Sequence, residues 1–354
     1  MALLDPARFE SLIVSLRPRG PLSKLAEESG VEVHHLSMGQ RPGPITIWRL
    51  ASILRRREIS IAHSYLYDAG IATRVAGRFA RVPVVLTSTR ASLEYLPRIA
   101  WWVDRYTARW CTRVLAVSQG TAEFVTDVEH IPAEKVRIVT NGVDSARFRP
   151  GNRSGAREAW NIPAEACVVL SIGRLHAQKG HEFLLRAICQ LRDLPGLICL
   201  VVGDGPLRDA LEQRAADLGI RHVCRFVASV SDPRDLYDAA DVTVLASLYE
   251  GMPNVVLEAM AMGCPVVTTR VDGAVDLVHD GVTGVLVAPG DADALERAIR
   301  RVLQTPDARQ SMGARARSVV EAHHGLDQMV RSLEELYEQE WGAVRKGDAH
   351  VSAP

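Results

Sequence analysis

SLYEGMPNVVLEAMAMGCPVV, Ser247 to Val267, holds a turn, a helix and the start of a strand in one short run. The apolar, β-branched run DVTVLAS leads into it, and Gly251 and Pro253 break that pattern. From Asn254 the apolar residues recur at helical spacing, with Pro253 suited to a first turn, and PVVTTR then resumes a β-branched run. A strand, a tight turn, a helix and a second strand in this order make a crossover unit with parallel strands.

The same alternation extends outward over the whole chain. The first half carries the runs SLIVSL, VEVHHL, ISIAHS, PVVLTS, RVLAVS and VRIVTN, and the second half CVVLSIG, LICLVVGDG, VCRFVA, DVTVLAS, PVVTTR and GVLVAP. Strands buried on both faces read as continuous apolar runs, so each half is expected to be a doubly wound α/β domain with a parallel sheet. Between them NGVDSARFRPGNRSGAREAW, Asn141 to Trp160, replaces apolar periodicity with Gly, Pro, Ser and Arg. The expected division is a first domain over 1–144, a linker over 145–160, a second domain over 161–330, and a C-terminal helix with a frayed tail over 331–354.

Composition sets limits. The 354 residues, 47% hydrophobic and 24% charged, suit two globular domains with ordinary cores. The formal charge of +0 gives no footprint for nucleic-acid binding. Residues 1–150 nevertheless carry 21 Lys/Arg against 14 Asp/Glu, so the two halves differ in sign. A basic first domain suits an anionic acceptor or an anionic lipid surface, and scattered solvated arginines give the same count. The six cysteines form no CxxC pair and sit in apolar runs, which reads as small buried hydrophobes in a reducing compartment. No run approaches the roughly 18 apolar residues of a membrane span, and MALLDPARFE lacks the pattern of a secretory leader. The expectation is a cytoplasmic protein, at most peripheral to the inner face of a membrane.

In SIGRLHAQKGHEF a strand ends at Gly173, and Arg174 and Lys179 flank a short loop before a helix that begins near His181. Two cations at a strand end, beside a glycine that admits close backbone approach, suit a diphosphate; in isolation they are equally ordinary surface charges. VVGDGPLRDALE repeats the pattern, with Gly203 and Gly205 in the turn and Pro206 expected at the first helical position. The amides of Asn254 and Val255, at a helix N-terminus, make an anion site. Glu250 lies just ahead of that end and Glu258 about one turn in. A carboxylate would repel a phosphate but accepts well from sugar hydroxyls, which suggests a nucleotide sugar; acidic residues that only stabilise the helix end give the same pattern.

GRLHAQKG, VVGDGPL, YEGMPNVVLEAMAMGCPVVTT and GVTGVLV, in this order, resemble the donor domain of the retaining glycosyltransferases of family four. The resemblance runs from about Ile59 to Glu340 and is strongest over Ser171 to Val287. It implies two Rossmann-like domains facing across a cleft, the GT-B fold. It also implies that Glu250 holds hydroxyls of the transferred sugar, Glu258 the ribose, and Arg174, Lys179 and the amides of Asn254 and Val255 the departing diphosphate. Base recognition falls on backbone near Phe226 and Val227. No metal is implied, because the two cations do its work. The implied reaction moves a hexose or N-acetylhexosamine, from UDP in preference to GDP, to a glycan or lipid-linked acceptor with retention of configuration.

The first half departs from the family pattern. No Gly-rich loop precedes FESLIVSL, so one strand, one loop and one helix are expected to be missing; a misplaced start, a fragment and a protein without catalysis are all consistent with that. SIAHSYLYDAG is similar to the family's H-x-H segment, with His63 at its first position and Tyr65 at its second. TSTR, Thr87 to Arg90, is expected to face the acceptor, and Ser118 to cap a helix. Trp102, Tyr106 and Trp110 recur at i, i+4 and i+8, which favours packing of that helix on the sheet over a membrane-facing stripe. Two further readings stay open: a nucleotide-sugar-binding protein without turnover, and a sugar-nucleotide epimerase on the same fold.

Overall fold

In the computed structural model the chain is described over residues 3–37, 42–91 and 97–351. It divides into two compact units, Met1–Thr140 with Met329–Pro354, and Asn141–Gln328. The C-terminal segment that the sequence sets apart thus belongs to the first unit.

Unit 1 contains β1 (Leu12–Ser15), α1 (Pro21–Glu28), β2 (Glu32–His35), α2 (Pro44–Arg56), β3 (Ile61–Tyr65), α3 (Tyr67–Ala80), β4 (Val84–Thr89), α4 (Arg98–Ala108), β5 (Arg113–Ala116), α5 (Gln119–Glu123) and β6 (Val136–Ile138). Its strands form two parallel sheets, β1-β2 and β3-β4-β5-β6. Ser118 caps α5 by accepting from the Thr121 amide at 3.1 Å, as the sequence indicates. The stripe on α4 is a correction: Trp102 is 59% and Tyr106 45% exposed, while Asp104, Thr107 and Ala108 face inward. A buried arginine decides this, because Arg74 of α3 donates to Asp104 at 2.8 Å and to Thr87 of β4 at 2.8 Å, and so holds the polar face of α4 inward. Thr87 and Ser88 are correspondingly interior rather than presented to solvent.

Unit 2 contains α6 (Arg153–Ala159), β7 (Cys167–Ile172), α7 (His181–Gln190), β8 (Leu197–Val202), α8 (Arg208–Asp217), β9 (Cys224–Val227), α9 (Arg234–Ala239), β10 (Val242–Leu245), α10 (Asn254–Ala261), β11 (Val266–Thr269), α11 (Asp272–Leu277), β12 (Val285–Val287), α12 (Ala292–Gln304) and α13 (Pro306–His323). The final helix, α14 (Leu326–Val351), runs through most of the segment expected to fray. The six strands form one parallel sheet in the order β12-β11-β10-β7-β8-β9. β8 and β10 are buried at every residue and β7 at all but its two ends, and Leu184, Leu185 and Ile188 of α7 with Ile299 and Val302 of α12 cover one face. Both units are Rossmann-like, and every one of the twelve apolar runs in the sequence is a strand.

Candidate functional site

In unit 2 the carboxyl ends of β7 and β10 are tied together by backbone. The turn after β7 (Ala177–Lys179) ends at Gly180, whose φ of +60° is left-handed and whose added Cβ would lie 2.1 Å from the Ala246 carbonyl. Only glycine lets that turn lie against β10. Leu248 N donates to Gln178 O at 2.8 Å, and Gln178 Nε2 to Tyr249 O at 2.9 Å. These bonds set Lys179 directly against Glu250, with which it forms an ion pair. Glu250 is 8% exposed, and the Ser247 hydroxyl, wholly buried at the end of β10, donates to the same oxygen at 2.7 Å. A buried carboxylate without such partners would be strongly unfavourable, so Lys179 and Ser247 are what keep it there.

Gly173 forms the floor of this corner, with the Lys179 stem 3.6 Å from where its Cβ would stand. Gly203, at φ +142°, crosses so close that an added Cβ would meet the Gly173 carbonyl at 2.0 Å. Arg174 is exposed and has no side-chain hydrogen bond or ion pair among the described residues, so its guanidinium is available to a ligand. Pro206 is not the first helical residue; α8 starts at Arg208 because Leu207 N bonds Leu175 O at 3.1 Å and Leu175 N bonds Asp204 O at 2.9 Å, holding the turn one step longer.

Pro253 precedes α10, which leaves the amides of Asn254 and Val255 outside the intrahelical ladder. Asn254 also accepts from Asn141 Nδ2 at 2.7 Å, and Asn141 donates to Met252 O at 3.2 Å. Glu258 accepts from the Tyr237 hydroxyl at 2.8 Å, and burial raises its pKa above the usual carboxylate range. Phe226 sits on β9, the edge strand; Gly203 N donates to Val227 O, so Phe226 turns its amide and carbonyl off the open edge, where Arg208 Nη2 donates to the carbonyl at 3.1 Å.

His63 and Tyr65 lie in unit 1, at the carboxyl end of β3. His63 Nδ1 is 2.6 Å from the Tyr337 hydroxyl of α14 and Nε2 is 2.8 Å from Ser88 Oγ, so both ring nitrogens are engaged. Burial, and secondarily Arg90, push its pKa down to about 3, leaving the ring neutral. Tyr65 stacks on His63 at 4.5 Å, is 42% exposed, and carries Arg90 over its ring. The next residue, Leu66, holds φ +76° with ψ 159°, a conformation essentially confined to glycine that costs about 1–3 kcal/mol.

Ser247, Tyr237, Asn141 and Tyr337 escape sequence reasoning. Ser247 had a legible signal, a hydroxyl at a strand end three residues before a glutamate. Tyr337 had none, since it meets His63 across 274 positions.

The profile of "Glycosyl transferases group 1" matches residues 152–319, and that of "Glycosyltransferase Family 4" residues 3–147. A D-inositol 3-phosphate glycosyltransferase of Actinosynnema mirum is 31% identical over 334 residues, covering 84% of this chain and 79% of that protein. The lipopolysaccharide core biosynthesis glycosyltransferase LpsE of Rhizobium meliloti is 34% identical over 57% of this chain and 57% of its own. Among solved structures, Anabaena HepE in complex with UDP-glucose superposes with a TM-score of 0.86 at 22% identity, covering 94% of this chain and 93% of that one. The chain spans 54–59% of the length of three of the curated relatives it matches.

Proposed function

This chain belongs to the group 1, family 4 glycosyltransferases, and on that premise we propose that it transfers a hexose or N-acetylhexosamine from a nucleoside diphosphate, UDP in preference to GDP, to a glycan or lipid-linked acceptor with retention of configuration. The observation that carries this reading is the corner built from Gly173, Arg174, Lys179 and Glu250 beside the N-terminus of α10. Preference for UDP draws on HepE, solved with UDP-glucose, and on an Escherichia coli relative named as a UDP-Gal-dependent galactosyltransferase. Peripheral contact with an anionic membrane draws on the exposed Ile99, Trp102 and Tyr106 of α4, flanked by Arg105 and Arg109.

The chemistry follows from charge. As the bond from the anomeric carbon to the phosphate oxygen breaks, its electron pair goes to the diphosphate. Arg174, Lys179 and the amides of Asn254 and Val255 stabilise that growing charge. Glu250 accepts hydrogen bonds from hydroxyls of the sugar, and Glu258 from the ribose. The acceptor oxygen bonds to the anomeric carbon on the face that the phosphate leaves, and its proton passes to a phosphate oxygen. His63, held neutral, orients Tyr65 rather than exchanging protons. Arg174 and Lys179 supply the cationic charge, so transfer is expected to persist in EDTA.

Glu250→Gln tests the assignment. Transfer should fall by at least about 100-fold, with UDP affinity by calorimetry changed less than about threefold, because the amide cannot hold the sugar as the carboxylate does while Lys179 is released toward the phosphate. Equal loss of binding and turnover would remove Glu250 from this role. The division of the unit 1 sheet favours a second reading, a nucleotide-sugar binder without turnover. Saturable UDP binding that weakens in Arg174→Ala, with no UDP released from UDP-glucose even slowly, would select it.

A further inference from the structure

The turn that separates Glu250 from α10 is held from two sides. Gly273 N donates to Gly251 O at 2.7 Å, and an added Cβ at Gly273 would lie 2.2 Å from that carbonyl. On the other side stands Asn141, the first residue of unit 2 and 5% exposed. Its backbone N–H donates to Met252 Sδ at 3.2 Å, and its side chain reaches Met252 O at 3.2 Å and the side chain of Asn254 at 2.7 Å.

These contacts decide which way both amides face. A backbone carbonyl only accepts, so the Asn141 atom on Met252 O is the nitrogen. The same nitrogen meets Asn254, and since two NH2 groups are both donors, the Asn254 atom it meets is the oxygen. Asn254 Oδ1 is thereby tied to Asn141, and Nδ2 is turned the other way with both of its hydrogens. Nδ2 has no hydrogen bond among the described residues, and Asn254 is exposed. It is the first residue of α10, beside the backbone N–H groups of Asn254 and Val255. A buried side chain thus uses its donors to fix the direction of an exposed one.

We propose that the Asn254 side chain is a specificity-determining group of the donor site: its Nδ2 donates to a phosphate oxygen of the nucleotide, and Asn141 is the positioning residue that turns it there. The inference rests on the reading of this helix end as the diphosphate site, and it adds a side chain where that reading uses only backbone. An uncharged donor suits this place. Lys179 already pairs with Glu250, and a neutral amide adds a hydrogen bond to the anion without competing for that carboxylate. The same amide with its oxygen outward would present a lone pair to the phosphate, so the contact with Asn141 decides between attraction and repulsion.

Titration calorimetry of the full chain with UDP tests it, with thermal melts to establish that each variant is folded. Asn254→Ala should weaken UDP binding about tenfold. Asn254→Asp keeps the shape and the bond from Asn141 but puts a carboxylate oxygen where Nδ2 stands, so it should weaken binding at least about tenfold more than alanine does. Asn141→Ala should weaken binding several-fold in the native chain and add nothing in the Asn254→Ala background, because Asn141 acts only through Asn254. UDP binding by Asn254→Asp as tight as that of Asn254→Ala would overturn the proposal, since the outward group would then not face an anion. An equal cost of Asn141→Ala in both backgrounds would overturn the positioning role. A wild-type chain that binds neither UDP nor GDP would remove the transferase reading and the inference together, whereas UDP binding without this order of variants removes the inference alone.

Discussion

Glu129, at the end of the turn that follows α5, is 2% exposed, and neither carboxylate oxygen has a hydrogen-bond partner among the described residues. Burial first and the Asp104 charge second push its pKa up to about 8, against the opposing pull of Arg74. In the unfolded chain this group loses its proton near pH 4.5, while in the fold it keeps it until about pH 8. The folded state therefore binds more protons over that window, and stability falls as pH rises through it. Glu129→Gln should remove this dependence and stabilise the protein by at least about 1 kcal/mol at pH 8, with little effect at pH 4.5, in urea melts at the two pH values. His63 and His181 act in the opposite sense. Burial pushes their pKa values down to about 3 and about 4, so the unfolded chain binds the extra protons and stability is lost as pH falls below about 6.5.

At the scale of elements, the corner where Lys179 meets Glu250 rests on one turn lying against one strand end. Gly180→Ala would place a methyl group 2.1 Å from the Ala246 carbonyl, at a φ of +60°. The turn must move, and Lys179 with it. Denaturant unfolding should show a loss of about 2–4 kcal/mol, and UDP affinity should fall by at least tenfold, with Gly219→Ala, whose Cβ meets nothing within 4 Å, as the comparison for the left-handed conformation alone. The elements themselves were legible. Alternation of β-branched runs with helical spacing marks all twelve strands, most plainly β8, LICLVV, which is buried at every residue and so reads as one continuous apolar run. Which way α4 faces was not legible, because i, i+4, i+8 aromatics describe a stripe without saying what lies beneath it. Arg74, buried and paired with Asp104, made the polar side the inner one.

At the scale of the molecule, unequal charge along the chain and the α4 stripe give one expectation. Vesicles rich in phosphatidylserine should sediment with the protein at low salt, and Trp102→Ser with Tyr106→Ser should reduce the bound fraction several-fold. Binding should weaken as ionic strength rises, since the arginine contribution is screened within a Debye length of about 10 Å at 0.1 M. The sequence alone determined two α/β units, the position of each strand, and the placing of Gly173, Arg174, Lys179, Glu250 and Glu258 at strand ends and on a helix; it expected a linker over 145–160, where the second unit already begins at Asn141 and carries α6. Those features follow from local periodicity and turn chemistry. Only the tertiary structure decided that Lys179 pairs with Glu250, that Ser247 and Tyr237 hold the two glutamates, that Tyr337 pins His63, and that β1 and β3 stand apart. Each of these joins side chains or edges through space, and local periodicity says nothing of partners that packing alone brings together.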